Sequence, residues 1–174
     1  MHHQPLSIGG CQWVRSRLCH RIAHVTGDHL GRFTISLIHG PHNQGIAIIT
    51  AYRPVTSENG DTSVHGQHLQ YLDRSADPRE ACLQDLGKEI MAIQEEGYLI
   101  IVGIDANEQM LDSANPAQGI PKLALDTGLV DPIKHIHGQC PFPTSSALSG
   151  SPIDFFLCSE ELLPFISVRI LSTV

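Results

Sequence analysis

An α/β fold is what this sequence predicts, on three observations. Residues 31–40, GRFTISLIHG, alternate Phe33, Ile35 and Leu37 against Thr34 and Ser36, the period-two pattern of a half-buried strand. Residues 78–96 set Ala81, Leu83, Leu86, Ile90 and Ile93 at helical spacing, with Asp77 as a candidate cap, Pro78 near the start and Gly97 after the end. YLIIVGID, residues 98–105, then reads as a buried apolar strand. Strand, helix and strand in succession are the order of an α/β domain.

The other elements follow along the chain. Residues 8–25 mix Arg and His with Val, Leu and Ile, and predict two short strands. Gly40-Pro41-His42-Asn43 is turn chemistry. GIAIITAYRPV (45–55) is a nearly continuous apolar run, which predicts a strand covered on both faces and paired in a hairpin with 31–40. Residues 56–67, rich in Ser, Asn, Gly, Asp and Thr, predict an exposed loop. A polar loop follows Asn107, and a short helix spans about Pro121–Thr127, ended by Gly128. LVDPIKHIHG predicts a loop or short strand, and PFPTSSALSGSP an exposed loop. Residues 153–164 predict a strand with a helical turn after it, and the alternation in 165–174 a last strand. No internal repeat marks a second domain, so residues 1–174 read as one.

Composition narrows the class. The chain has 174 residues, enough for a core, and its 41% hydrophobic content excludes a disordered polymer. With a formal net charge of -7, a polyanion partner requires a local basic patch or metal ions. The basic residues of the N-terminal third, Arg15, Arg17, Arg21 and Arg32, are isolated rather than a run. Cys11, Cys19, Cys82, Cys140 and Cys158 form no C-x-x-C pair and read as free thiols. His2, His3, His20, His24, His135 and His137 fall in no zinc-binding spacing and read as loop or surface residues. No apolar run reaches the roughly 18 residues needed to span a bilayer, and the N-terminus carries no secretory signal pattern. The expectation is a soluble, intracellular chain.

Chemistry is expected where strands end, because open α/β sheets bind ligands there. Three such places carry polar side chains: Tyr52 and Arg53 before Pro54; Asp105, Asn107 and Glu108; and Asp154 in SPIDFF. Asp105 and Asn107 are two apart, so extended backbone points them the same way. A carboxylate and an amide on one face suit a hard cation such as Mg²⁺ or Mn²⁺ and a phosphate oxygen. Each residue alone has an ordinary explanation, since a strand-end Asp is more often a turn or cap. Asp154 is harder to explain so, because an acid between Ile153 and Phe155 must be paired or desolvated.

The order of these blocks resembles the endonuclease/exonuclease/phosphatase superfamily, which includes abasic-site endonucleases, sphingomyelinases, inositol-phosphate phosphatases and the endonucleases of non-LTR retrotransposons. TAYRP looks like that family's strand ending in Tyr-x-Pro, and the helix led by Asp77-Pro78-Arg79 like its Arg-led helix. IIVGIDANE looks like its Gly-Asp-x-Asn strand; GLVD, Pro143-Thr144 and SPIDFFLCSEELLP look like its Thr and Arg-Ile-Asp-Tyr block. The resemblance implies a partial four-layered α/β sandwich of mixed, largely antiparallel sheets flanked by helices. It also implies metal-assisted phosphoester hydrolysis with Mg²⁺ or Mn²⁺ and a nucleic acid or other phosphodiester as partner.

In that reading Asp105 is the catalytic carboxylate and a possible metal ligand, Asn107 holds the phosphate, and Tyr52 contacts it. Asp154 orients a histidine, while Arg53 and Thr144 are further substrate contacts. Departures are Ile104 where the family has a second Gly, Ala106 for Phe or Leu, and Pro152 for Arg. The family's early Asn and metal-binding Glu strands and its final Ser-Asp-His have no counterpart here. The expectation is therefore a domain truncated at both ends and impaired, retroelement-derived, with Glu108 a surface residue. The competing expectations are a non-catalytic remnant or binding module, and a lipid or inositol-phosphate phosphatase.

Overall fold

The computed structural model describes residues 12, 16–41, 44–56, 63–72, 76–108, 118–138 and 153–168. Its centre is a five-stranded mixed sheet in the order β1-β2-β3-β4-β5. The strands are β1 (Ile22–Gly27), β2 (Phe33–His39), β3 (Gly45–Tyr52), β4 (Tyr98–Asp105) and β5 (Asp154–Cys158). Among the described residues four helices accompany them: α1 (Val64–Tyr71), α2 (Pro78–Glu95), α3 (Gly119–Thr127) and α4 (Pro132–His137). The α/β class with a mixed, mainly antiparallel sheet is what the sequence predicted.

β2 and β3 form the predicted antiparallel hairpin, in register from Phe33↔Ala51 to His39↔Gly45. β3 and β4 run parallel, so the chain must cross over between them, and α1 and α2 make that crossing. β5 returns antiparallel to β4.

Alternation then sorts the side chains. Phe33 and Ile35, Ala47, Ile49 and Ala51, Ile100, Val102 and Ile104, and Phe155 and Leu157 share one face. That face packs on Leu83, Leu86, Ile90 and Ile93 of α2 and on Ile120 and Leu123 of α3. Burying each large aliphatic side chain contributes about 1.5–3 kcal/mol. The small Ala47 and Ala51 leave room for the helix pair above the sheet. The opposite face carries Ile46, Ile48, Ile101 and Phe156, of which Phe156 is 52% exposed. The apolar run of β3 is thus fully buried on one face only, not on both as expected.

The helix ends follow their local chemistry. At the start of α2, the Asp77 carboxylate accepts from the Arg79 backbone N–H at 2.9 Å and Pro78 occupies the first turn. Gly128 closes α3 in the left-handed conformation, φ 66°.

Residues 16–21 form a 3₁₀ turn before β1, and the rest of the stretch expected to hold two strands, 8–11 and 13–15, lies outside the described residues. Three expectations are corrected. The loop expected over 56–67 gives way at Val64 to α1, capped by the Ser63 hydroxyl. LVDPIKHIHG contains α4, because the Asp131 carboxylate accepts from the N–H groups of both Ile133 and Lys134. The last strand is absent over Ile166–Val168, which follow a 3₁₀ turn containing Pro164. Its remaining residues, 169–174, and the Ser- and Pro-rich loop containing Thr144 lie outside the described residues.

Candidate active site at the ends of three strands

The pairing that builds the sheet also assembles the site. Tyr52, the last residue of β3, is in register with Asp105, the last of β4. Asp105 is in register with Asp154, the first of β5. Residues in register share a face, so the three side chains stand in one row at one edge of the sheet, on the face away from α2 and α3.

The two carboxylates are closer than mere adjacency requires. The Ala106 N–H donates to the Ile153 carbonyl at 2.9 Å, which makes Asp105 and Asp154 a non-hydrogen-bonded pair of the antiparallel ladder. In such pairs the Cα atoms lie about 4.5 Å apart and the side chains come nearest. Like charges placed so destabilise a sheet. Burial pushes the Asp105 carboxyl above its ordinary range, and Asp154 pushes it the same way. The Asn107 backbone N–H, bonded to that carboxylate, pulls it partly back. Asp105 Oδ1 is buried and has no hydrogen-bond partner in the structure. A buried acceptor without a partner costs about 1–3 kcal/mol.

Asn107 belongs to the same corner. Its backbone is left-handed, with φ 48°. Its side-chain Nδ2 donates to the Arg53 carbonyl at 2.8 Å, while the Arg53 N–H donates to the Asp105 carbonyl at 2.8 Å. The ends of β3 and β4 are therefore laced together just beyond the last ladder pair.

Arg53 lies one residue past Tyr52 and faces the other way. It is 3% exposed. Its guanidinium pairs with Glu108, donates to Glu80 at 2.9 Å and reaches the Arg79 carbonyl at 3.3 Å. This geometry does not present Arg53 to the open face as a substrate contact, because its donors are turned toward α2 and Glu108. Glu108 likewise is not a surface residue: its side chain is 15% exposed, against Arg53 and the left-handed Gly119. That pairing also separates Glu108 from the row of carboxylates, so it does not stand in for a missing metal ligand there. His135 and His137 are exposed on α4.

Two arrangements escaped the sequence reading. Arg79 donates to the Pro54 carbonyl at 2.5 Å and to the Asn107 carbonyl at 3.0 Å. Nothing in its spacing announces this, although Asp77-Pro78 places it in the first turn of α2, beside both strand ends. The second is Arg32, 1% exposed, whose Nε donates to Asp28 at 2.6 Å and Nη2 to Asp85 at 2.8 Å. It pins the β1–β2 turn to α2.

Among the described residues no group of three or more His, Cys, Asp or Glu could hold a metal ion. Asp105 and Asp154 nonetheless fit a hard divalent cation by chemistry: they are in register across β4 and β5, one buried Asp105 oxygen lacks a partner, and Asp154 is exposed at the strand start rather than desolvated as its place between Ile153 and Phe155 suggested.

No protein-family model matches the sequence, and no curated protein is significantly similar to it. Solved structures similar to it include the human Nocturnin catalytic domain with bound sulfate, at 12% identity and TM-score 0.46 over 74% of this chain and 41% of that one. The 3′ phosphatase NExo from Neisseria, bound to a product DNA hairpin, gives 15% identity and TM-score 0.48 over 76% and 54%. The catalytic domain of APE2 from Xenopus laevis gives 13% and 0.45 over 77% and 48%. This chain spans about half the length of those chains. At such identities they say nothing of its substrate.

Proposed function

We propose that this chain is a divalent-cation-dependent phosphodiester hydrolase of the endonuclease kind, retroelement-derived. The observation that carries the reading is the row Tyr52–Asp105–Asp154, with Asn107 at its corner. Asp105 and Asp154 would hold Mg²⁺ or Mn²⁺, water or phosphate oxygens completing the shell as is usual for Mg²⁺. Such an ion supplies charge for the phosphate and its leaving oxygen. Asp105, its carboxyl pushed above the ordinary carboxylate range by burial and by Asp154, would take the proton of an attacking water. The Tyr52 hydroxyl would orient a phosphate oxygen. The Asn107 amide is suited to stabilise charge developing on the phosphate. The partner would be a nucleic acid, and the cation would offset locally part of the repulsion from a chain of net charge -7.

The test is Mg²⁺-dependent cleavage of plasmid and abasic DNA, with an inositol phosphate as the alternative substrate. Asp105→Ala should abolish turnover; unchanged turnover would remove Asp105 from the chemistry. A second reading, a binding module of the same fold without catalysis, is favoured by the lack of a three-ligand cluster among the described residues. Nucleic-acid binding without Mg²⁺ binding or turnover would select it.

A further inference from the structure

Asn107 holds a backbone conformation that L-residues adopt at a cost of roughly 1–2 kcal/mol, less for Asn than for most. Such strain persists where the surroundings over-determine it. Here three contacts do so. The Asn107 N–H bonds the Asp105 carboxylate, its Nδ2 bonds the Arg53 carbonyl, and its carbonyl accepts from Arg79 Nη2. Arg79 is the only one of these partners that comes from a helix rather than from the strand ends themselves. Its other nitrogen, Nη1, bonds the Pro54 carbonyl beyond β3. One rigid planar fork therefore spans both strand ends and anchors them to α2.

We propose that Arg79 is a positioning residue, whose guanidinium bridges the Pro54 and Asn107 carbonyls and so sets the orientation of the Asp105–Asn107 pair. This deepens the hydrolase reading and rests on it for the consequence in turnover, though not for the geometry. A lysine ammonium is a point donor on a flexible stem and does not reproduce a fork across two fixed carbonyls. Arg53 plays a different part: its side chain holds Glu108 and Glu80, and only its backbone carbonyl meets Asn107.

The experiment compares wild type, Arg79→Ala and Arg79→Lys, each uniformly ¹⁵N-labelled. The side-chain amide signals of Asn107 should shift or broaden in both variants, while the backbone signals of Leu86 and Ile90 in the buried face of α2 stay in place. Arg79→Lys decides the matter if Arg79→Ala fails to fold. Asn107 signals unmoved in Arg79→Lys overturn the proposal, as does loss of the α2 signals together with them, which would make Arg79 a general structural residue. In the turnover assay, Arg79→Lys should lower kcat about 100-fold with KM nearly unchanged, the size expected for misplacing a reacting group by about 1 Å. A wild-type chain without turnover would sink the hydrolase reading, and the Asn107 signals would still decide the positioning one.

Discussion

Replacing Arg53 by Met tests the corner that joins β3, β4 and α2. Met keeps the apolar stem and much of the volume and removes the charge. Two carboxylates lose a partner, but unequally. Glu80 is 47% exposed, so water takes over and the loss is under about 1 kcal/mol. Glu108 is 15% exposed and would be left as a largely buried, unpaired charge. Breaking a buried pair from one side costs about 3–5 kcal/mol, and the lower end applies to a pair that is not fully enclosed. The bond to the Arg79 carbonyl adds about 1 kcal/mol. The total, roughly 4–5 kcal/mol, should lower Tm by about 8–20 °C in a domain of this size. Urea unfolding measures it directly. The double variant Arg53→Met/Glu108→Gln should recover about 1–2 kcal/mol, since the orphaned charge is gone. A cost below about 1 kcal/mol, or costs that simply add, would refute a coupled Arg53–Glu108 pair.

Other outcomes follow from the same structure. Ile100→Ala should cost about 2–5 kcal/mol in urea unfolding, because Ile100 is fully buried between the sheet and α2, whereas Ile101, half-buried on the open face, should cost less. Burial pushes the Asp28 carboxyl up, but its bonds and charge contact with Arg32 outweigh this and hold it below its ordinary range. Its stabilisation is therefore present above the unfolded value of about 3.9 and is lost as pH falls through the folded one. Asp28→Asn should lower stability at pH 7 and flatten the acid limb of the stability curve; equal acid limbs in the two proteins would show that the pair contributes nothing.

Much of the framework was legible because periodicity reports directly on burial. The period-two run of β2, the helical spacing of α2 and the apolar run of β4 each met a matching packing partner. Polar residues at strand ends were legible for a related reason, and strand order puts the ends carrying Tyr52, Asp105 and Asp154 in register. What escaped was set by tertiary contact or by capping. α1 has little apolar periodicity, and Gly66 and the Ser- and Thr-rich stretch before it read as loop. α4 depends on a single cap at Asp131. Spacing along a strand does not say that Arg53, the residue after Tyr52, turns inward to Glu108 and Glu80. Glu108 needed the position of Arg53 before its burial made sense.

The central claim is that Asp105 and Asp154, facing each other across the β4–β5 pair, form a divalent-cation site. Isothermal titration with Mn²⁺ against wild type, Asp105→Asn and Asp154→Asn tests it most directly. Saturable binding in the wild type, lost in Asp105→Asn and weakened in Asp154→Asn while both variants remain folded, is the predicted result. No binding by the folded wild type, or binding that both variants retain, would contradict it.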